Sequence, residues 1–259
     1  MTTALPDDQL FDLPTLPERL LSLADEFIGH NDAFAQDSAA RMGAAELRER
    51  FPSARSLAER ALEIRESVEH TLRPAPAVVD VSLELQQMAF LASGAADELL
   101  IALGLVQKGK AGAETHIQLA GALTALGAPA SVDLAERLTA EMHRQRVPLS
   151  GELLQLSSAD IAAMRAVARG KVHVTLMLGR QYITHEGGAR LSINTVRALE
   201  APSFLRRDGV QKESVPQRLR LTTAGIRALA GAFGRTPPPV SGPRSVPPLP
   251  QSTSVKRSR

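Results

Sequence analysis

A ten-residue stretch, LSINTVRALE at 191–200, carries side chains that can read the edges of DNA bases. With Ser192 as the N-cap of a helix, Asn194 and Arg197 project from one side, beside alanines that permit close approach. Arginine forms paired hydrogen bonds with guanine, and asparagine forms them with adenine. The apolar residues fall on the opposite side and are expected to pack inward: Ile193, Val196 and Leu199. The spacing therefore predicts a helix with a base-reading face.

Basic residues flank this stretch at positions suited to DNA phosphates. Two predicted strands, at 204–208 and 217–221, carry arginines in pairs around the polar loop GVQKESVP. Cationic side chains in such places hold phosphates and set the register of a protein on DNA without reading its sequence. The candidate phosphate-binding residues are Arg190, Arg206, Arg207, Lys212, Arg218 and Arg220.

The charge of the chain is unevenly distributed. Residues 1–170 hold 15 Lys and Arg against 24 Asp and Glu, a net charge of −9, whereas residues 171–259 hold 15 against 4, a net charge of +11. A basic segment attracts polyanions because each neutralised phosphate releases counterions. The alternative is that the two parts attract each other, so that the acidic part masks the basic one.

The composition favours helices and a cytoplasmic protein. Of 259 residues 44% are hydrophobic and only 3% aromatic, so the cores must be built from Leu, Ala, Val and Ile. The absence of cysteine excludes disulfides, thiolate metal sites and a cysteine nucleophile. The N-terminus is acidic and the strongest apolar run, at 98–106, is about half a membrane span, so we expect no membrane partner. The Ala, Arg and Leu bias is typical of a bacterial genome of high GC content.

Five stretches with apolar residues at helical spacing precede residue 150. The spacing predicts helices over 16–34, from Ser53 or Ser56 to Leu72, and over 82–106, 112–126 and 132–146. Short breaks between them, such as RPAPA at 73–77, are typical of an all-α bundle. We therefore expect an acidic helical bundle over 10–150.

The remainder of the chain mixes helices with short strands. A helix capped by Ser157 or Ser158 precedes a predicted β-hairpin over 173–191, and the helix at 193–200 precedes the two arginine-bearing strands. Thr222 or Thr223 caps a closing helix that runs to about Phe233. These elements predict a basic domain over 155–235. Residues 236–259 are rich in proline and poor in apolar residues, so we expect a disordered basic tail.

The sequences SINTVRALE, FLRRD and LRLTTAGIRAL, in this order, resemble the winged helix-turn-helix transcription regulators of the MarR and PadR type, over residues 157–233 only. The resemblance implies a winged-helix domain in which 193–200 is the recognition helix and the next two strands form the wing. The chain departs from the family at HVTLMLGRQYITHEGG, which indicates strands where a helix normally precedes the recognition helix. It departs again at Ser203, which replaces the usual glycine.

Two motifs that could support enzyme chemistry are incomplete. Gly104, Gly109 and Lys110 match part of a phosphate-binding loop, but Ala111 replaces the hydroxyl that should reach magnesium, and the preceding segment indicates a helix instead of a strand. The sequence THEGG at 184–188 lacks a second histidine at metal-ligand spacing. We therefore expect no metal site, no cofactor and no enzymatic activity.

Two functions follow from these patterns. The first is a DNA-binding transcriptional regulator whose N-terminal helices form a homodimer or sense a partner or effector. The alternative is a non-enzymatic interaction or scaffold protein whose winged helix and tail bind other proteins. Arginines that converge on one face with Asn194 would favour DNA, whereas arginines paired with acids of the bundle would favour protein contacts.

Overall fold

The computed structural model describes residues 13–36, 42–148, 156–185, 191–208 and 215–233. Five helices form the first part: α1 (Leu16–Gln36), α2 (Ala44–Thr71), α3 (Pro76–Gln107), α4 (Ala113–Thr124) and α5 (Gly127–Arg144). The described residues are mainly helical and include one small antiparallel sheet, which confirms the expected fold class at that level.

Helix α2 begins earlier than the sequence pattern predicts. It begins at Ala44, because the Glu46 carboxylate accepts a hydrogen bond from the N–H of the N-cap residue Gly43 and so closes the first turn. The predicted start, at Ser53 or Ser56, was wrong. The helix instead continues through the proline and both predicted caps: Pro52, Ser53 and Ser56.

Helix α3 begins at Pro76 instead of Ser82, because the fixed φ of proline suits the first turn of a helix. It ends at Gln107, so the partial phosphate-loop motif lies in its last turn and in the connection to α4. As predicted, a helix and not a strand precedes the motif. The arrangement is therefore a helix–helix connection.

The C-terminal part contains three helices and four strands. They are α6 (Ser158–Ala168), β1 (Val172–Met177), β2 (Arg180–His185), α7 (Ile193–Glu200), β3 (Leu205–Arg207), β4 (Gln217–Leu221) and α8 (Thr223–Phe233). The two predicted hairpins are joined into one sheet of order β2-β1-β4-β3, because β1 also pairs with β4 through His173 and Val174. All of the pairings are antiparallel.

Helix α8 begins in close contact with the exit of α7. The Thr222 hydroxyl accepts a hydrogen bond from the Gly225 N–H at 3.1 Å, which confirms a predicted cap. The Thr222 N–H donates to the Phe204 carbonyl at 3.0 Å. A Cβ on Gly225 would lie 2.1 Å from that carbonyl oxygen, so only glycine allows this approach. The pattern LTTAG thus has a local steric cause.

One hydrophobic core runs through both parts of the chain. The same cluster of buried side chains contains Leu20 and Leu138 from the bundle and Met164, Leu219 and Leu229 from the later elements. Helices α1 and α5 both pack against α6 and α8. The predicted domains, 10–150 and 155–235, therefore share a buried boundary, and their division stays a prediction. The predicted tail, 236–259, lies outside the described residues.

Two helical stretches of the described chain are long and apolar enough to cross a membrane, Pro76–Gln107 and Ala113–Arg144. Core helices of soluble proteins pass the same test of length and composition. The cytoplasmic location therefore stays a prediction.

Candidate nucleic-acid interface

Helix α7 has the two faces that its sequence predicts. The Ser192 hydroxyl accepts a hydrogen bond from the Thr195 N–H at 3.0 Å and caps the helix. Val196 and Leu199 are buried in the common core, whereas Ile193, predicted to pack inward with them, is half-buried. The residues of the opposite side are exposed: Ser192, Asn194, Arg197, Ala198 and Ala201. The helix packs against α6, β2 and β3 with its inner side, and its polar side chains stay exposed.

Arg197 is the cation of this exposed face. Its Nη2 donates to the Gln181 Oε1 on β2 at 3.3 Å, a long hydrogen bond between exposed groups. Among the described residues no carboxylate forms an ion pair with it. A guanidinium that is held by one neutral amide keeps most of its donors for another acceptor.

Arg220 on β4 is enclosed by acids. Its Nε donates to the Asp25 Oδ1 at 2.7 Å and its Nη1 donates to the Asp208 Oδ2 at 2.9 Å, while the Asp25 carbonyl accepts from Nη2. The side chain is 12% exposed. Burial acts to lower the pKa of Arg220, but the hydrogen bonds to Asp25 and Asp208 outweigh burial and raise it. Arg220 is therefore a permanently charged internal anchor.

Arg218, two residues earlier on the same face of β4, contacts Asp32 of α1. Its Nη2 lies 2.6 Å from the Asp32 Oδ1, and its Nη1 donates to the Gly170 carbonyl. Burial raises the pKa of Asp32, and the charges of Arg218 and Arg220 partly oppose this shift. The contact binds β4 to both α1 and the end of α6.

Helix α1 provides two acids and a glycine on the side that contacts these two arginines. Asp25, Gly29 and Asp32 lie on one face at spacings of four and three residues. A Cβ on Gly29 would lie 3.0 Å from the Arg220 guanidinium, so the glycine lets the guanidinium lie flat against the helix. We call these three residues the α1 acidic face.

Arg207 is also engaged within the molecule. Its Nε and Nη2 donate to the two carboxylate oxygens of Glu200 at 2.6 and 3.0 Å, a bidentate pair that ties β3 to the end of α7. The hydrogen bonds to Glu200 raise the pKa of Arg207 against the opposing effect of burial.

Arg206 points into an acidic cleft. Its guanidinium lies 3.8 Å from the Asp25 carboxylate, and its side chain is half exposed. It lines a cleft of about 390 Å³ between α1 and the start of α8, together with Asp25 and Glu26. Burial raises the pKa of Glu26, and the Arg60 charge partly opposes this shift. A phosphate that approached Arg206 would also meet Asp25, which weakens Arg206 as a phosphate ligand.

The predicted arginines therefore do not form one basic face. Three of the five that the structure describes, Arg207, Arg218 and Arg220, are held by carboxylates, whereas Arg197 remains with Asn194 on the exposed side of α7. Arg190 and Lys212 lie outside the described residues.

The acids that hold the arginines are not among the residues that the sequence pattern indicates. The spacing in the sequence does place Arg218 and Arg220 on one side of a strand, and it places Asp25 and Asp32 on one side of a helix. The sequence did not show that this helix covers that strand.

Ser203, predicted to replace a glycine, adopts φ +60°, the left-handed region that glycine favours. Its carbonyl accepts a hydrogen bond from the Thr222 hydroxyl, which holds the turn after α7 against the start of α8. The chain thus keeps the glycine-like turn with a serine.

The described residues contain no group of three or more His, Cys, Asp or Glu side chains that could hold a metal ion. His185 ends β2, and Glu186 lies outside the described part. Comparisons with known proteins find no matching family model, no similar curated protein and no similar solved structure.

Proposed function

We propose that the protein binds duplex DNA and reads it with the exposed face of α7. The observation that carries this proposal is the polar face of a capped helix whose inner side is fixed in the core and whose arginine no acid of the described part of the chain neutralises. Arg197 is suited to guanine and Asn194 to adenine, and the small Ala198 and Ala201 allow close approach.

The order of elements supports a winged-helix arrangement for this domain. Helix α7 is followed by the antiparallel pair β3 and β4, in the place that the MarR and PadR resemblance assigns to a wing. Strands β1 and β2 occupy the chain segment where that family has a further helix. The pair Arg207–Glu200 fixes the angle between α7 and β3, which makes it a structural contact of the proposed wing.

In this proposal Arg218 and Arg220 hold the domain to the bundle, Arg207 holds β3 to α7, and these three arginines do not bind phosphates. The DNA contacts are then few: Arg197, Arg206 and the two candidates outside the described residues, Arg190 and Lys212. The affinity of such a regulator depends more on contacts to bases than on attraction to the phosphate backbone of DNA, because fewer phosphate contacts release fewer counterions.

The test is fluorescence anisotropy of labelled random duplex DNA with the full chain, over a series of salt concentrations. We expect Arg197→Ala to weaken binding about tenfold, the typical loss for one good base or phosphate contact. Arg48→Ala is the matched control, because Arg48 is an exposed arginine on α2 and its loss changes the net charge equally. Equal effects of the two variants would refute a specific role for α7.

A second function, binding of a partner protein, is favoured by the neutralised arginines. Arg218 and Arg220 pair with acids of the helical bundle, which is the arrangement expected if the basic domain does not meet phosphates. Absence of DNA binding by the full chain at low salt would select this function and make the α7 face a protein-contact surface.

A further inference from the structure

Helix α3 carries an exposed apolar face that no described element covers. Its residues are Val79, Leu83, Phe90, Leu100 and Ile101, joined by Leu126 from the turn between α4 and α5. Phe90 is 77% exposed and Leu126 is 72% exposed. We call these six residues the α3 apolar face. Scattered surface leucines are ordinary, but several large apolar side chains aligned along one helix mark an interaction surface.

From this face we propose that the protein forms a homodimer in which two α3 helices pack antiparallel, with Phe90 at the two-fold axis. The positions of the apolar residues support this symmetry. Val79 and Ile101 each lie eleven residues from Phe90, so antiparallel pairing about Phe90 places each opposite the other residue of the second copy. An isologous interface requires this kind of self-complementarity.

The shape of the surface supports a second copy as the occupant. A hollow of about 260 Å³ lies between the α3 residues Gln87 and Leu91, Leu123 near the end of α4 and Leu126 in the following turn. Leu126 belongs both to this hollow and to the α3 apolar face, so a second copy that covers the face can also fill the hollow with apolar side chains.

The charge of α3 argues against a lipid surface and against DNA. Residues 76–107 contain no Lys or Arg and four acids, Asp80, Glu84, Asp97 and Glu98. Helices that lie on membranes are rich in Lys and Arg on their polar face. In the antiparallel pair Asp80 faces Leu100 and Asp97 faces Leu83 of the second copy, so no acid opposes another. A parallel pair in register would place Asp97 against Asp97.

The available area is sufficient for a dimer. Large apolar side chains expose roughly 150–200 Å² each when free, so the exposed fractions of the six residues leave about 600 Å² of apolar side chain per copy. A stable interface buries about 800 Å² per partner, and neighbouring polar residues such as Gln86 and Ser93 supply the difference.

The first test is the molar mass of the full chain by size-exclusion chromatography with light scattering. We expect twice the chain mass of 27.7 kDa for the natural protein and the monomer mass for Phe90→Glu. Leu178→Glu is the control, because Leu178 is 90% exposed in the β1–β2 turn, and it should stay dimeric. A monomeric natural protein, or a Phe90→Glu dimer, overturns the proposal. Circular dichroism confirms that the variants are folded.

The second test uses the absence of natural cysteine. Phe90→Cys should form a disulfide-linked dimer on mild oxidation, because residue 90 meets its own counterpart. Val79→Cys alone should not, because its two copies lie about 33 Å apart along antiparallel helices at 1.5 Å per residue. A mixture of Val79→Cys and Ile101→Cys should link across the pair. Linking of Val79→Cys to itself would refute the antiparallel register.

A lipid surface remains an outcome of the test. Vesicles of equal parts phosphatidylcholine and phosphatidylglycerol that capture the natural chain, but not Phe90→Glu, would overturn the dimer and assign the face to a membrane. The measurements need no DNA, so the dimer and the DNA-binding proposal can fail independently.

Discussion

Arg220 provides the strongest test of the internal role of the strand arginines. Arg220→Gln removes the charged hydrogen bonds to two partly buried carboxylates, Asp25 and Asp208, and leaves Asp25 with the longer, 3.8 Å contact to Arg206. Breaking one partner of a fully buried ion pair costs about 3–5 kcal/mol. The two carboxylates here are 25% and 40% exposed, so water screens part of the loss. We therefore expect the free energy of unfolding to fall by about 2–3 kcal/mol.

Arg206→Gln is the matched control for this experiment. Arg206 lies two positions from Asp208 and faces the same Asp25, but at 3.8 Å and half exposed, so its loss should cost about 0–1 kcal/mol. Both variants are measured by urea unfolding of the full chain, followed by circular dichroism.

A double-mutant cycle isolates the contact itself. Asp25→Asn combined with Arg220→Gln should show a coupling energy of about 1–2 kcal/mol, because each single change already removes the pair. Equal stability of Arg220→Gln and Arg206→Gln, or a coupling energy near zero, would refute the anchor role. Arg220 would then be available for phosphates after all.

Three further predictions concern acid stability, a close contact and salt dependence. Burial, aided by the Arg50 charge, lowers the pKa of His30 to about 4. The unfolded chain takes up this proton at a higher pH than the folded chain. His30 therefore contributes fully to the free energy of unfolding above about pH 6.5, and about 3 kcal/mol of that free energy is lost as the pH falls to 4. Urea unfolding at both ends of this range should show a smaller loss for His30→Gln than for the natural chain. Gly225→Ala should lower the free energy of unfolding by more than about 2 kcal/mol, because the new Cβ clashes with the Phe204 carbonyl. Gly231→Ala, in the same helix but with open space around it, should raise the free energy of unfolding by about 0.5–1 kcal/mol. Thermal unfolding compares the two variants, and equal effects would contradict the clash. If DNA meets four cations, the logarithm of its affinity should fall against the logarithm of salt with a slope of about −3 to −4, and a slope near −6 would mean that the three paired arginines also bind phosphate.

The helices were predictable because periodic apolar residues alone determine which side is buried. The spacing located α1 and the inward side of α7, where Val196 and Leu199 enter the core. Both α2 and α3 begin earlier than predicted, since α2 continues through Pro52 and α3 begins at Pro76. A helix tolerates proline in its first turn and, less often, in its interior. Such local choices depend on packing that periodicity does not record.

The roles of the arginines could not be predicted in the same way. Alternation along β4 places Arg218 and Arg220 on one face, but a guanidinium on a strand face has the same sequence pattern whether water, phosphate or a carboxylate lies above it. Only the packing of α1 over the sheet distinguishes these cases. The partner residues lie about 190 positions away in sequence, in the acidic part of the chain.

The charge asymmetry of the chain is partly explained by contacts between its acidic and basic parts. Part of the excess positive charge is neutralised inside the molecule, since Asp25 pairs with Arg220 and Asp32 pairs with Arg218. If internal attraction were the whole reason for that excess, Arg197 would also be expected to pair with an acid, yet among the described residues it contacts a neutral amide on an exposed helix face. If the wing supplied the main attraction to DNA, its arginines would not be held by carboxylates. The combination favours recognition through α7 with weak anchoring by the backbone, for which a shallow salt dependence and a large effect of Arg197→Ala are the joint signature.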